Sequence, residues 1–326
     1  MTRLRVGVLR GGPSSEYEIS LKTGGNVLRN LSDDLYVTHD ILISRGGVWH
    51  MRGLETTPEK VLKNVDVVFN ALHGEYGEDG EVQKILDKFQ VPYTGSGTLA
   101  SSIAMNKPSA KDIASKAGVR VPLHTIIGRS SDVEERITEV FRTFPQPVVI
   151  KPLDKGSSIG VVFAGSYQEF VGAVASALEE SQDVLVEEFI KGKEITSGVV
   201  DNFRGEERYV FLPIEISLPK GKVCFDYNAK YSDVVGEKAE FICPGNLTHE
   251  ERQKIIEATR KVHDVLGLRH YSRSDFIVNK QGVYFLEANT LPGLTSDSLV
   301  PRALAEAGCS LSEFLEHIIN LAVERK

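Results

Sequence analysis

Apolar residues in the first hundred positions fall in short tight runs separated by stretches with helical spacing. The runs LRVGVL (4–9) and VDVVFNAL (65–72) are too short for helices and too continuous for half-exposed strands. They predict strands buried on both faces. ISLKTGGNVLRNL (19–31) and EVQKILDKF (81–89) instead repeat apolar residues every three or four positions, as a helix with one buried face does. Ser15 and Glu18 have the spacing of a capping box at the start of the first helix. VPYTGSG (91–97) adds a short extended segment. Strand and helix in alternation predict a small α/β domain with a parallel sheet, whose crevice lies at the C-terminal strand ends.

Beyond residue 104 the pattern changes. NKPSAKDIASKAG (106–118) is helical, VVIKPLDKGSSIGVVF (148–163) reads as two β-branched strands around a small-residue tip, and SYQEFVGAVASALEE (166–180) returns to helix. From DVLVEEFI (183–190) onward strands dominate. They are interrupted by one helix at 248–267, which Thr248 and Glu251 open with a second capping box. A C-terminal helix closes the chain. The expected division is 1–104, 105–182 and 183–326, with no internal repeat.

Composition narrows the class of protein. The 326 residues, 41% hydrophobic and 25% charged, suffice for several globular domains. A net charge of −7 argues against a protein built to coat nucleic acid or an anionic membrane. Cys224, Cys243 and Cys309 include no close pair, which disfavours a disulfide framework and fits a reducing, cytoplasmic setting. No window approaches the roughly 18 apolar residues of a membrane span.

Several segments carry candidate chemistry. The mobile-looking tip DKGSSIG could fold over phosphates and offer backbone N–H groups, with Lys151 on the entering strand as a point charge. The order is not that of a Walker loop, and a plain hairpin turn is the simpler alternative. In VLVEEFIKGKEI, Glu187 and Glu194 suit the hydroxyls of a ribose, against the alternative of a solvated edge strand. SRSDFIVNKQGVYFLEAN is the strongest local signal. Arg273 and Asp275 share one strand face, Glu287 and Asn289 share one face of the next, and NKQG is a hairpin connection. A three-residue loop with Gly282 left-handed sets Asp275 opposite Glu287, giving hard oxygens that suit Mg²⁺; the alternative is an ion pair from Arg273 to one of the acids. His73 lies in a glycine-rich loop at a strand end, and Lys230 and Tyr231 lie in a polar segment that reads as surface loop or lid. Finally, GGPSSEYEIS has the strand–glycine–helix order of a phosphate cradle, yet Glu16 and Glu18 would repel a phosphate.

Taken in order, GGPSSEYEIS, HGEYGEDG, YTGSG, IKPLDKGSSIG, AKYSD and LEANTLPGLTSDSLVP resemble the D-alanine–D-alanine ligases of the ATP-grasp superfamily over nearly the whole chain. The resemblance implies a three-domain ATP-grasp fold of α/β and α+β domains, with the central and C-terminal domains sandwiching ATP. It also implies ligation of two D-alanines through a D-alanyl phosphate, with ATP and two Mg²⁺ ions (or Mn²⁺), in a cytoplasmic homodimer engaging neither nucleic acid nor membrane. Residue by residue, it places Lys107, Lys151, Glu187, Glu194 and Lys230 at the nucleotide and Ser157 in the loop over its phosphates. Asp275, Glu287 and Asn289 correspond to metal ligands, and Arg273 to the arginine near the transferred phosphoryl. Glu16 corresponds to the carboxylate that receives the first D-alanine's ammonium, which resolves its awkward charge, and His73 lies in the same substrate region. Ser298 and Leu299 correspond to residues holding the second D-alanine, and Tyr231 belongs to the lid over the products. Tyr17 and Leu294 depart from the family's usual residues. Two rivals stay open: a relative that joins D-alanine to D-lactate or D-serine, which Tyr231 disfavours, and a nucleotide-binding protein without turnover.

Overall fold

The computed structural model describes residues 3–130, 132–153, 160–218 and 239–324. Ser157, Lys230 and Tyr231 lie outside them.

The N-terminal run forms β1 (Leu4–Gly11), which pairs in parallel with β2 (Tyr36–Ile43) and β5 (Val67–Asn70). The expected parallel sheet carries an antiparallel edge, because β3 (Trp49–Met51) and β4 (Leu54–Thr56) fold back onto β2. The connecting helices are α1 (Tyr17–Asn30), the short α2 (Pro58–Leu62) and α3 (Glu81–Lys88). The Ser15–Glu18 capping box does not form. Helix α1 starts at Tyr17 with Glu16 in the N-cap position, and no side chain caps it. Ser14 is engaged at the loop, accepting from the Glu16 N–H and donating to the His73 carbonyl, and Glu18 pairs with Arg45.

Next come α4 (Thr98–Met105) and α5 (Lys107–Lys116), the latter capped by the Asn106 side chain accepting from Ser109 N–H. A four-stranded antiparallel sheet follows in the order β6 (His124–Gly128), β9 (Asp183–Glu188), β7 (Val148–Pro152) and β8 (Val162–Ala164). Helices α6 (Val133–Thr143) and α7 (Tyr167–Glu180) cover one face, burying Phe170, Val174 and Val140 against Val148, Ile150 and Val184. Strand β9 therefore belongs with this sheet, although the sequence assigned it to the C-terminal region; its alternating Val184 and Val186 supply that sheet's core.

A six-stranded sheet completes the fold, in the order β13 (Glu240–Ile242), β12 (Ile214–Ser217), β10 (Lys193–Phe203), β14 (Tyr271–Asn279) and β15 (Gly282–Asn289), with β11 (Glu206–Val210) also on β10. Helix α8 (His249–Val265) has the expected Thr248–Glu251 capping box. It packs with α4 and α5 on one face of this sheet around Ile195, Phe276 and Phe285. Helices α9 (Leu299–Glu306) and α10 (Leu311–Glu324) return to the N-terminal sheet, where Phe314 and Ile318 share a core with Val6, Phe69 and Val200. No helix among the described residues is long and apolar enough to cross a membrane.

Candidate active site

The face of the six-stranded sheet opposite α8 opens toward the four-stranded sheet and the N-terminal loops. Its register sets the site. Asp275 pairs with Glu287 and Arg273 with Asn289, the juxtaposition the sequence predicts, reached by another route. The connection is a two-residue turn, Lys280–Gln281, because Asn279 pairs with Gly282. The Asn279 side chain accepts from the Gln281 and Gly282 N–H groups at 2.9 and 3.3 Å, and Gly282 takes φ +148°. A β-bulge at Leu286 then shifts the register by one residue. Without it Phe285 and Glu287 would share a face. With it, Phe285 enters the core beside Phe276 and Glu287 lines the cleft.

Asp275 accepts from the Arg273 guanidinium through two nitrogens, at 3.0 and 2.9 Å, and from Thr196 Oγ1 at 2.6 Å. The Arg273 ion pair expected as the alternative thus forms within the convergent arrangement. Lys107, the first residue of α5, brings its Nζ to 3.4 Å from Glu287 Oε2. Among the described residues no three His, Cys, Asp or Glu side chains converge as a metal group. The donor set is two carboxylates on paired strands with the Asn289 amide nearby. A hard cation here would therefore draw its remaining oxygens from a phosphate or water.

Across the cleft, Glu187 is interior to the four-stranded sheet rather than on an edge, and only 2% exposed. Its carboxylate meets Lys151 at 2.5 Å and Lys111 at 2.7 Å. Burial opposes its ionisation, yet the two ammoniums pull it down to about 2. Lys151 behaves correspondingly: burial opposes its charge, and Glu187, Glu287 and Glu194 together hold it above the usual lysine value. Glu194 lies on β10, on the face of Thr196 by alternation. Lys151, Glu187, Glu194, Lys107 and Glu287 thus form one charged line from the four-stranded to the six-stranded sheet.

The other end opens into a cavity of about 700 Å³ lined by Glu16, His73, Arg273, Asn289, Ser298 and Leu299, among others. His73 is buried, with Nε2 at 2.8 Å from Thr23 Oγ1, and burial depresses its pKa, holding it neutral near pH 7. Ser298 is the N-cap of α9, and its Oγ accepts from Thr295 N–H at 3.1 Å, which leaves the first turn of that helix facing the cavity. An anionic group suits such a terminus. Gly74, at φ +70°, lies so close that a Cβ there would sit 2.8 Å from Glu16 Oε2.

Two site residues escape the sequence reading. Glu78 accepts from Gly74 N–H at 2.7 Å and from Leu291 N–H at 3.2 Å. Burial, and secondarily the charge of Glu16, push its carboxyl up to about 8. The second is Lys111. Its signal was present, since Lys107 and Lys111 are four apart and so share a helix face.

Family models for the N-terminal and C-terminal parts of D-Ala–D-Ala ligase match residues 5–96 and 113–320. The chain belongs to the D-alanine–D-alanine ligase family. It is 38% identical to the D-alanine–D-alanine ligase of Carboxydothermus hydrogenoformans over 98% of this chain and 99% of that one. Among solved structures, the VanG D-Ala:D-Ser ligase of Enterococcus faecalis superposes with a TM-score of 0.87 at 30% identity, covering 99% of this chain and all of that one. The Bacillus anthracis D-alanine–D-alanine ligase, solved with ATP, gives 0.78 at 27% identity over 98% of both chains. The ligase family's ATP-grasp architecture is therefore that of this protein, as expected, and the chain is an ATP-dependent ligase.

Proposed function

We propose that this enzyme joins two D-alanines into D-alanyl-D-alanine for a peptidoglycan precursor, through a D-alanyl phosphate, releasing ADP and phosphate. The observation that carries the proposal is one cavity lined by Glu16, Arg273 and Glu287, with Asp275 paired to Glu287 on the neighbouring strand, within a chain of the ligase family. Glu16 offers a carboxylate to the first substrate's ammonium, with buried, neutral His73 and half-buried Glu78, whose carboxyl is pushed up to about 8, adding little competing charge near neutral pH. Two Mg²⁺ ions, for which Mn²⁺ could substitute, would be held by Asp275, Glu287 and Asn289 and would supply positive charge to the phosphoryl oxygens. Lys107, Lys151 and Arg273 add fixed positive charge where the substrate carboxylate attacks the γ-phosphate, so charge that develops in transit meets groups already in place. Arg273 also stands near the oxyanion that forms when the second amine attacks. Ser298, Leu299 and the α9 N-terminus suit the carboxylate of that second D-alanine. Glu187 and Glu194 are assigned to the nucleoside end.

The segments holding Ser157 and Tyr231 are assigned to closing the site, which keeps the acyl phosphate from water. A cytoplasmic homodimer belongs to the same reading. The likeness to a D-Ala:D-Ser ligase favours a second reading, D-serine at the second position. The relatives named D-alanine–D-alanine ligase favour D-alanine, and Tyr231 disfavours the depsipeptide that D-lactate would give. A turnover-free protein is disfavoured because every phosphate and metal residue is retained. Product analysis with D-alanine alone, then with D-serine or D-lactate added, tests the choice. D-alanyl-D-alanine is expected throughout, and a mixed product as the main species at neutral pH would replace this reading with the second.

A further inference from the structure

Outside the groups already assigned, α5 carries a fully buried lysine, whose charge is opposed by burial and supported by Glu187. Lys111, on α5, has no exposed surface. Its Nζ sits 2.7 Å from Glu187 Oε1 on β9 and donates a hydrogen bond to the Leu286 carbonyl on β15. These acceptors belong to different sheets, so one ammonium spans the two halves of the cleft. The second acceptor is the bulge residue itself. The backbone of Leu286 is what turns Glu287 toward Asp275 and Phe285 into the core.

We propose that Lys111 is a positioning residue that locks the bulge at Leu286 and the carboxylate of Glu187, holding the metal-bearing strand and the nucleotide-bearing strand in one fixed relation. It touches no substrate in this arrangement. The inference rests on the nucleotide and metal roles proposed above for Glu187 and Glu287. An ammonium buried in the core is tolerated only where its donors are satisfied. A bulge carbonyl lacks a ladder partner and needs another donor. Each group satisfies the other, and Glu187 neutralises the pair. Its second oxygen meanwhile remains on Lys151. Lys107, on the same helix, reaches Glu287 from the cleft side. Helix α5 therefore fixes both the backbone behind that carboxylate and the charge in front of it.

The test compares wild type with Lys111→Met, which keeps the length and apolar stem but removes the charge and donors. Three quantities are measured: affinity for Mg·ADP by calorimetry, the Mg²⁺ midpoint for phosphate release, and KM for D-alanine. Loss of a group that orients metal ligands from behind weakens the site by about tenfold or more. Lys111→Met should lower Mg·ADP affinity and raise the Mg²⁺ midpoint by about tenfold, with KM for D-alanine within about twofold of wild type. A purely structural role would instead lower the melting temperature and leave both nucleotide and metal values unchanged; that result overturns the proposal. Wild-type protein that binds no Mg·ADP would overturn the nucleotide reading itself, a separate failure visible before any variant is made. If Lys111→Met is too unstable to purify, Lys111→Arg retains the charge but must splay the two acceptors. The same losses are then expected at about threefold, and wild-type values in folded Lys111→Arg overturn the proposal.

Discussion

Replacing Glu78 with glutamine exposes how the substrate end of the cleft is charged. In wild type the half-buried side chain accepts from two backbone N–H donors, and its carboxyl is pushed up to about 8 by desolvation first and Glu16 second. The unfolded chain releases that proton near the ordinary glutamate value. Between about pH 4.5 and 8 the native state therefore holds a proton that the unfolded state has lost, and stability falls as pH rises through that window. The steepest slope for one group is about 1.4 kcal/mol per pH unit, a ceiling of about 4 kcal/mol from pH 5 to 8. The group is only partly shielded from solvent, so about half that ceiling, about 2 kcal/mol, is the working figure. Glutamine cannot titrate. Its amide NH₂ must face one of the N–H groups of Gly74 and Leu291, at a cost of about 1–2 kcal/mol at every pH. Urea denaturation from about pH 5 to 8.5 should show wild type more stable at the acid end and that advantage shrinking toward pH 8. His73 acts with the opposite sign: its depressed pKa removes stability as pH falls below its ordinary value, but it does so in both proteins and cancels in the difference. Parallel curves for the two proteins would refute the reasoning, since Glu78 would then be ionised like an exposed glutamate.

Two further perturbations address the same end of the site. Glu16→Gln should raise KM for the first D-alanine about tenfold or more while leaving KM for ATP within about twofold, because a charged hydrogen bond to an ammonium is worth about 1.5–3 kcal/mol; steady-state kinetics with each substrate varied in turn separates the two. Gly74→Ala forces a Cβ to within 2.8 Å of Glu16 Oε2 at φ +70°. It should cost about 1 kcal/mol or more of stability by thermal denaturation and raise KM for D-alanine, through strain and a displaced Glu16.

How much of this was legible in the sequence depends on the range of the interaction. The facing of Asp275 and Glu287 could be read because strand alternation and a short NKQG connection act over a few residues. The mechanism of that facing could not: a two-residue turn with a bulge at Leu286 gives the same pairing as a three-residue loop, and only the burial of Phe285 distinguishes them. Taken alone, Glu187 read more readily as part of an exposed edge, because its neighbours β6 and β7 come from residues 124–128 and 148–152. The capping box at Ser15 failed for a related reason. Ser14 bonds across the chain to His73, and that contact fixes the loop so that the helix begins at Tyr17. Glu78 and Lys111 look like solvated charges in sequence; the partial burial of the first and full burial of the second are properties of packing between elements far apart in the chain. The masked signal at Lys111 was its helical spacing from Lys107, and at Glu78 its place between the glycines of a tight loop.

The proposed reaction is stereospecific, metal-dependent activation of a D-amino acid by the groups gathered at Asp275. It is tested most directly by phosphate release from ATP with D-alanine against L-alanine, with Asp275→Asn run beside wild type. Rapid release is expected with D-alanine, background with L-alanine, and near-background rates with both in Asp275→Asn. Equal release with the two enantiomers, or an Asp275→Asn variant as active as wild type, would contradict it.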